Sequence, residues 1–171
     1  MKKKWFLLVV ILILAFMSTL ILVWYKNYTQ SQKPYQSYIN MPQSVPLDAS
    51  KILELVNIER AKVGVAPLTS DPRLVASAQA KADEMAQNDY FGHVSPVTGV
   101  DGYTLIPNGI CVYKSENISE MLNPIGDNNN DTVQGWIGSK PHYDAMVDSK
   151  YTLTGVAISK NKIVQHFCQV K

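Results

Sequence analysis

Apolar and polar residues are distributed very unevenly along the 171-residue chain. From Trp5 to Tyr25 the run "WFLLVVILILAFMSTLILVWY" is broken only by Ser18 and Thr19. Twenty-one helical residues reach about 31 Å, close to the hydrocarbon thickness of a bilayer. Three lysines precede the run, and Trp5, Trp24 and Tyr25 stand at its ends, where aromatic belts lie. The pattern predicts a transmembrane signal-anchor over residues 1–25, with the N-terminus inside and the remainder outside. The alternative is secretion after signal cleavage, although the run is longer than a signal peptide's apolar region and lacks a small-x-small exit. Residues 26–47, rich in Gln, Ser, Tyr and Pro and without apolar periodicity, predict a flexible tether with ends roughly 25 Å apart.

From residue 48 onward the pattern changes to that of a folded domain over 48–171. Asp48 is placed to cap a first helix, with Ile52, Leu55, Val56 and Ile58 on its apolar face and Gly64 as its stop. Ser70 or Asp71 caps a second, Pro72 fits its first turn, and Leu74, Ala78, Ala82 and Met85 recur at helical spacing. A less regular stretch follows, holding the strand-like piece "ICVYKSENI". A helix then carries Val133, Trp136 and Ile137, and "KPHYDAMVD" reads as a short helix. "YTLTGVAIS" and "KIVQHFCQV" form a terminal hairpin about Lys160 and Asn161. Helices first and antiparallel strands late predict an α+β fold.

Charge narrows the function classes. The formal net charge is +2, but residues 1–47 hold five lysines and no acid, which leaves eleven basic against fourteen acidic residues in the domain. A mildly acidic domain without a basic stripe argues against nucleic acid as a partner. Two cysteines, Cys111 and Cys168, both fall in the exported part, where a disulfide is expected; two separate buried thiols are the alternative.

No HExxH, glycine-rich phosphate loop, G-x-S-x-G or CxxC motif is present. The candidate chemistry is three polar residues at element ends: His93 in "YFGHVSP", Glu116 in "SENI" and His142 in "SKPHYDAM". Taken singly, each has an ordinary explanation as a hydrogen-bonded loop histidine, a cap or a turn residue. His166, in the last strand, reads as a strand-facing residue without a role.

The segments "VNIERAKVGVAPLTSDPRLVASAQAKADEMAQNDYFGHVSP", "SENI" and "GWIGSKPHYDAMVDSKYTLTGVAIS" together resemble the CAP (or SCP) superfamily, and its short bacterial members in particular, through Trp136, Ser139, Pro141 and His142. The resemblance implies a three-layer α/β/α sandwich with a central, mostly antiparallel sheet. It also implies a large cleft holding two histidines and acidic residues. By position, His93 and His142 match the two histidines and Glu116 the glutamate of the G-E-N motif. The chain departs from the pattern at Ser115, where glycine is usual, and at Ser139, where many members carry a second acid. Asn57 and Arg60 match an N-x-x-R pattern whose expected role is structural.

Two imidazoles and a carboxylate are a reasonable ligand set for zinc or a similar divalent cation. These features predict a membrane-anchored extracellular binding module, its polar cleft taking a cation and a small amphiphile such as a lipid, a sterol or a cell-envelope ligand. One alternative is a hydrolase acting on peptide or cell-envelope substrates, with Ser95 or Ser139 beside His93 or His142 and Glu116 orienting the base; Asn117, like the two serines, is expected to neighbour the cleft. The other is a structural surface domain whose cleft is vestigial.

Overall fold

The computed structural model describes residues 2–39, 44–122 and 126–171. The chain divides into two compact units, Met1–Pro42 and Gln43–Lys171.

The first unit contains one helix, α1, over Lys2–Ile39. Its described side chains are Trp5 and residues 14–31, all exposed. Among the described residues no helix is long and apolar enough to cross a membrane. The side chains of residues 6–13, which supply much of the anchor expected over 1–25, lie outside the described set. The helix continues through residues 26–39, where the sequence predicts a coil tether. Within it Thr29 and Ser31 donate to the carbonyls of Lys26 and Tyr28, and Trp24 stacks on Tyr28 with centroids 5.5 Å apart.

The second unit is built from α2 (Ala49–Lys62), β1 (Thr69–Ser70), α3 (Pro72–Gln87), a 3-10 turn (Gly102–Leu105), β2 (Cys111–Glu120), α4 (Asn128–Ile137), α5 (Lys140–Val147), β3 (Leu153–Ser159) and β4 (Lys162–Val170). The sheet order is β1-β3-β4-β2, with β1 parallel to β3 and the other pairs antiparallel. The mixed α+β expectation therefore holds, and the terminal hairpin forms the centre of the sheet.

Strand alternation sends side chains to two helical layers. Val156, Ile163 and Phe167 meet Ile52 and Val56 of α2, Val133 and Trp136 of α4 and Met146 of α5. On the other face Ala157, Val164 and Ile118 meet Ala78, Ala82 and Met85 of α3. That second contact is close because Gly155 has no side chain. A Cβ there would lie 2.1 Å from the Leu74 carbonyl carbon, inside the backbone of α3. The buried face of α2 is Ile52, Val56 and Arg60, whereas Ile58, expected on it, is 47% exposed.

The domain begins before residue 48. Val45 bridges to Asp127, Asn128 and Asn129 donate to the carbonyls of Val45 and Pro46, and the Asp48 amide donates to Asn129. At the other end Cys111 and Cys168 form the expected disulfide, with Cα atoms 5.4 Å apart and a sequence separation of 57. Closing a loop of that length stabilises the fold by about 4 kcal/mol in the chain-entropy model.

Asp71 caps α3 through the Arg73 amide, as the Asp-Pro pair suggests, and its carboxylate also pairs with the Arg73 guanidinium. The Arg73 side-chain hydrogen bond is the main reason that the Asp71 pKa falls from its ordinary value to about 2. A depressed carboxylate pKa contributes stability above the unfolded value near 3.9, lost as pH falls towards 2. Asp71→Ala should therefore cost about 1 kcal/mol near neutral pH, a typical cap loss. The gap from wild type should shrink between about pH 4 and 2 in urea titrations. An undiminished gap at pH 2 would show that the cap does not depend on the charge.

Candidate functional site

The candidate site is built around β2, one of the two edge strands of the sheet. After α3 the chain turns at Asp89, which adopts a left-handed φ of 50°. Gly92, which follows, is not in a left-handed conformation. His93 then opens a closed loop. Val94 bridges to Asp101, the Ser95 amide donates to the Val100 carbonyl, and the Gly102 amide donates to the His93 carbonyl at 3.0 Å. The same carbonyl accepts from Lys81 Nζ at 2.8 Å, which ties the loop to α3.

At the centre is Glu116, whose side chain is 1% exposed. His93 Nδ1 lies 2.8 Å from Glu116 Oε1, and His166 Nε2 lies 2.9 Å from Oε2. Burial raises the Glu116 pKa, but hydrogen bonds from His166 and His93, with the charges of His166 and Lys81, outweigh it and leave it below the ordinary value. The carboxylate is therefore ionised at neutral pH, inside the protein. His93 is 45% exposed at its side chain, so one ring edge faces Glu116 while much of the ring stays open to solvent.

His142 comes from the opposite layer, in the first turn of α5, which Pro141 helps to start. Its ring centroid is 6.1 Å from that of His93, with the planes tilted by 40°. Asn117 donates from Nδ2 to the His142 carbonyl at 3.0 Å and so fixes the helix start against β2. Burial, and secondarily the neighbouring His93, lower the His142 pKa and favour the neutral ring. Next to it a groove of about 400 Å³ is lined by Phe91, Trp136, Leu122, Glu120 and Ser139.

The expected trio is thus brought together, but not as three metal ligands. Among the described residues no three His, Cys, Asp or Glu side chains form a group that could hold a metal ion. Glu116 already gives both oxygens to imidazoles. The residues fit a two-histidine arrangement, with Glu116 behind His93 as its orienting partner.

The serines do not complete a nucleophilic set. Ser95 donates to Glu84 and accepts from the amides of Val97 and Thr98, which makes it a turn residue. Ser139 sits at the α5 N-cap with no side-chain capping bond, and neither serine bonds a histidine among the described residues. A Ser–His–Glu chain does exist, from Ser77 through His166 to Glu116, but Ser77 is 5% and His166 0% exposed, so no substrate reaches it.

Asn57, Arg60 and Trp136 are structural. Asn57 exchanges two hydrogen bonds with the Leu68 backbone. Arg60 donates to the carbonyls of Ala66, Met146, Asp148 and Tyr151, and the Trp136 indole donates to Ile118.

Sequence reasoning missed four residues: Ser77, Lys81, Gly102 and His166. His166, which reads in sequence as lacking a role, stands directly opposite Glu116 in the β2–β4 ladder. An acid also approaches the site, though not after the tryptophan. Asp101 accepts from the Tyr103 hydroxyl, and that bond, with the charges of Asp101 and Glu116, raises the tyrosine's pKa.

Comparison with known proteins shows the family and the fold. The model of the CAP family, described as the cysteine-rich secretory protein family, matches residues 53–170. The chain is 35% identical over 118 residues to the uncharacterized protein YkwD of Bacillus subtilis, a match covering 67% of this chain and 44% of that protein. It is 31% identical over 120 residues to the uncharacterized membrane protein YlbC of the same organism, covering 68% and 33%. The chain thus spans less than half the length of these relatives. Among solved structures, an extracellular protein from Bacillus anthracis containing an SCP domain aligns with a TM-score of 0.63 at 24% identity, over 74% of this chain and 45% of that one. An outer surface protein from Borrelia burgdorferi aligns with a TM-score of 0.61 at 17% identity, over 75% and 100%. These two likenesses show the fold.

Gly102 is where the site has least room. A Cβ there would lie 2.1 Å from Glu116 Oε2 and 2.7 Å from Lys81 Cδ. Gly102→Ala should destabilise the full-length protein in urea unfolding by roughly 1–3 kcal/mol, the usual cost of overpacking. Gly135→Ala meets nothing within 4 Å on helix α4 and should be neutral or stabilising by up to about 1 kcal/mol. Equal effects of the two changes would show that the Gly102 contact is not selective.

Proposed function

Because the chain belongs to the cysteine-rich secretory protein (CAP) family, we propose that it is a membrane-anchored extracellular CAP domain working as a binding module. Its cleft holds a divalent cation through His93 and His142 and receives a small amphiphilic or envelope ligand in the adjoining groove. One observation carries this reading. Glu116 takes the Nδ1 side of His93, so the Nε2 lone pair of the neutral ring is left for a ligand, and the second imidazole stands 6.1 Å away. A carboxylate behind an imidazole raises its basicity and fixes its tautomer. Bound there, a cation would supply a Lewis-acidic anchor for an oxygen of the ligand.

Binding is favoured over hydrolysis because no accessible serine bonds a histidine among the described residues. Phe91, Leu122 and Trp136 give the groove apolar walls, while Glu120, Ser139 and His142 give it polar points, a mixture suited to an amphiphile. Support for the anchor comes from α1, whose large apolar side chains from Leu14 to Tyr25 are all exposed. A helical stretch that is apolar all round is at home in lipid. The name of the Bacillus subtilis relative YlbC, a membrane protein, points the same way.

Calorimetric titration of zinc into the full-length protein in detergent tests the cation site. Wild type should bind one equivalent. Glu116→Gln should weaken binding by about 10–100-fold, the range for an outer-shell partner, and His93→Ala and His142→Ala by more. Variants of both histidines that bind as wild type does would remove the shared site. The anchor is tested separately: the protein should stay in membranes through salt and carbonate washing, and external protease should reach the domain. A soluble form lacking residues 1–25 would replace the anchor with a cleaved signal.

A further inference from the structure

His166 is buried completely, 0% exposed, and touches neither the groove nor the solvent-facing ring of His93. A histidine in such a place needs an account of both ring nitrogens. Nε2 lies 2.9 Å from Glu116 Oε2, and Nδ1 lies 2.8 Å from Ser77 Oγ. Ser77 has one proton and two neighbours, His166 Nδ1 and the Leu74 carbonyl at 2.9 Å. If that proton goes to Nδ1, the ring is neutral and bears its hydrogen on Nε2. If it goes to Leu74, both nitrogens of His166 donate. Each oxygen of Glu116 lies against one imidazole nitrogen, the geometry of a carboxylate that accepts twice, so Nε2 of His166 carries a hydrogen directed at Oε2 in either case.

No other donor reaches that oxygen among the described residues. Lys81 Nζ is engaged with the Tyr90 hydroxyl and the His93 carbonyl. Gly102 presents only its Cα to Oε2, so closely that a methyl group would not fit. The orientation of the carboxylate therefore depends on one bond, and the cross-strand pairing of Glu116 with His166 sets that bond's length. With Oε2 held, Oε1 faces His93 Nδ1 at 2.8 Å. The relay ends at the cleft: a hydrogen on His93 Nδ1, directed at Oε1, would leave the ring's lone pair on Nε2.

We propose that His166 is a positioning residue which, through Glu116, selects the tautomer of His93 and so decides which nitrogen the cleft presents. The inference deepens the cation-site reading, and rests on it only for the metal arm of the test below. A histidine that merely filled the core would leave the His93 tautomer unchanged when replaced.

The test uses full-length protein labelled with ¹⁵N-histidine, in detergent, read by imidazole nitrogen–proton correlation NMR and by titration with zinc alone. In wild type, His93 should show a hydrogen on Nδ1 and His166 one on Nε2. His166→Gln, which keeps an N–H donor for Glu116, should preserve the His93 tautomer. His166→Phe should convert His93 to a mixture of tautomers and weaken zinc binding by about 10-fold or more. A folded Phe variant with His93 unchanged overturns the proposal, as does a wild-type His166 without a hydrogen on Nε2. Should the Phe variant not fold, the wild-type rings and the Gln variant decide, and loss of the tautomer in His166→Gln overturns it. If wild type binds no zinc, the cation reading falls, while the tautomer result still judges His166.

Discussion

A charged carboxylate held at 1% exposure costs several kcal/mol unless the fold returns hydrogen bonds and positive charge to it, and Glu116 sets that requirement for this domain. Four elements meet it. Strand β4 brings His166, the loop after α3 brings His93, α3 brings the buried ammonium of Lys81, and the turn at Gly102 leaves the space. None of these serves Glu116 alone. Lys81 also fastens the His93 loop, and Gly102 closes that loop through the His93 carbonyl. The cleft is thus rigid on one side because an internal charge has to be satisfied.

On the other side the constraint is backbone capture. Helix α5, which carries His142, is only eight residues long and has no side-chain cap at its start. It is held from outside at both ends. Asn117 binds the carbonyl of His142, and Arg60 binds those of Met146 and Asp148. Arg60 is 1% exposed; burial draws its pKa down and Asp148 opposes that, yet a guanidinium stays charged in proteins. Its four hydrogen bonds to backbone carbonyls make it a pin between α2, α5 and the approach to β3. Asn57 does the same for the turn before β1. Residues that meet no ligand therefore fix the 6.1 Å separation of the two imidazoles.

Much of this was legible from residue order alone. Helical spacing marked Leu74, Ala78, Ala82 and Met85, and all four are fully buried. Asp48 and Asp71 marked helix starts, and alternation marked the terminal hairpin, because caps and periodicities are properties of neighbouring residues. Family resemblance pointed to His93, Glu116 and His142, and the structure brings them together. Local signals failed where a side chain has a distant purpose. Arg60 is in helical phase with Ile52 and Val56 and Ile58 is not, but an arginine does not read as a core residue until the four backbone carbonyls that receive it are in place.

What the sequence by itself determined was therefore the local order: the apolar run, the helix caps, the paired cysteines and the residue types available for chemistry. Tertiary structure decided their use. Glu116 and His166 are 50 positions apart, and only the strand register sets them face to face. Shifting the pairing by one residue would send either side chain to the opposite layer. Nothing in residue order marks Lys81 or Gly102. Their roles arise because a buried carboxylate requires a nearby cation and leaves no volume for a methyl group, and those demands exist only once the layers have closed around it.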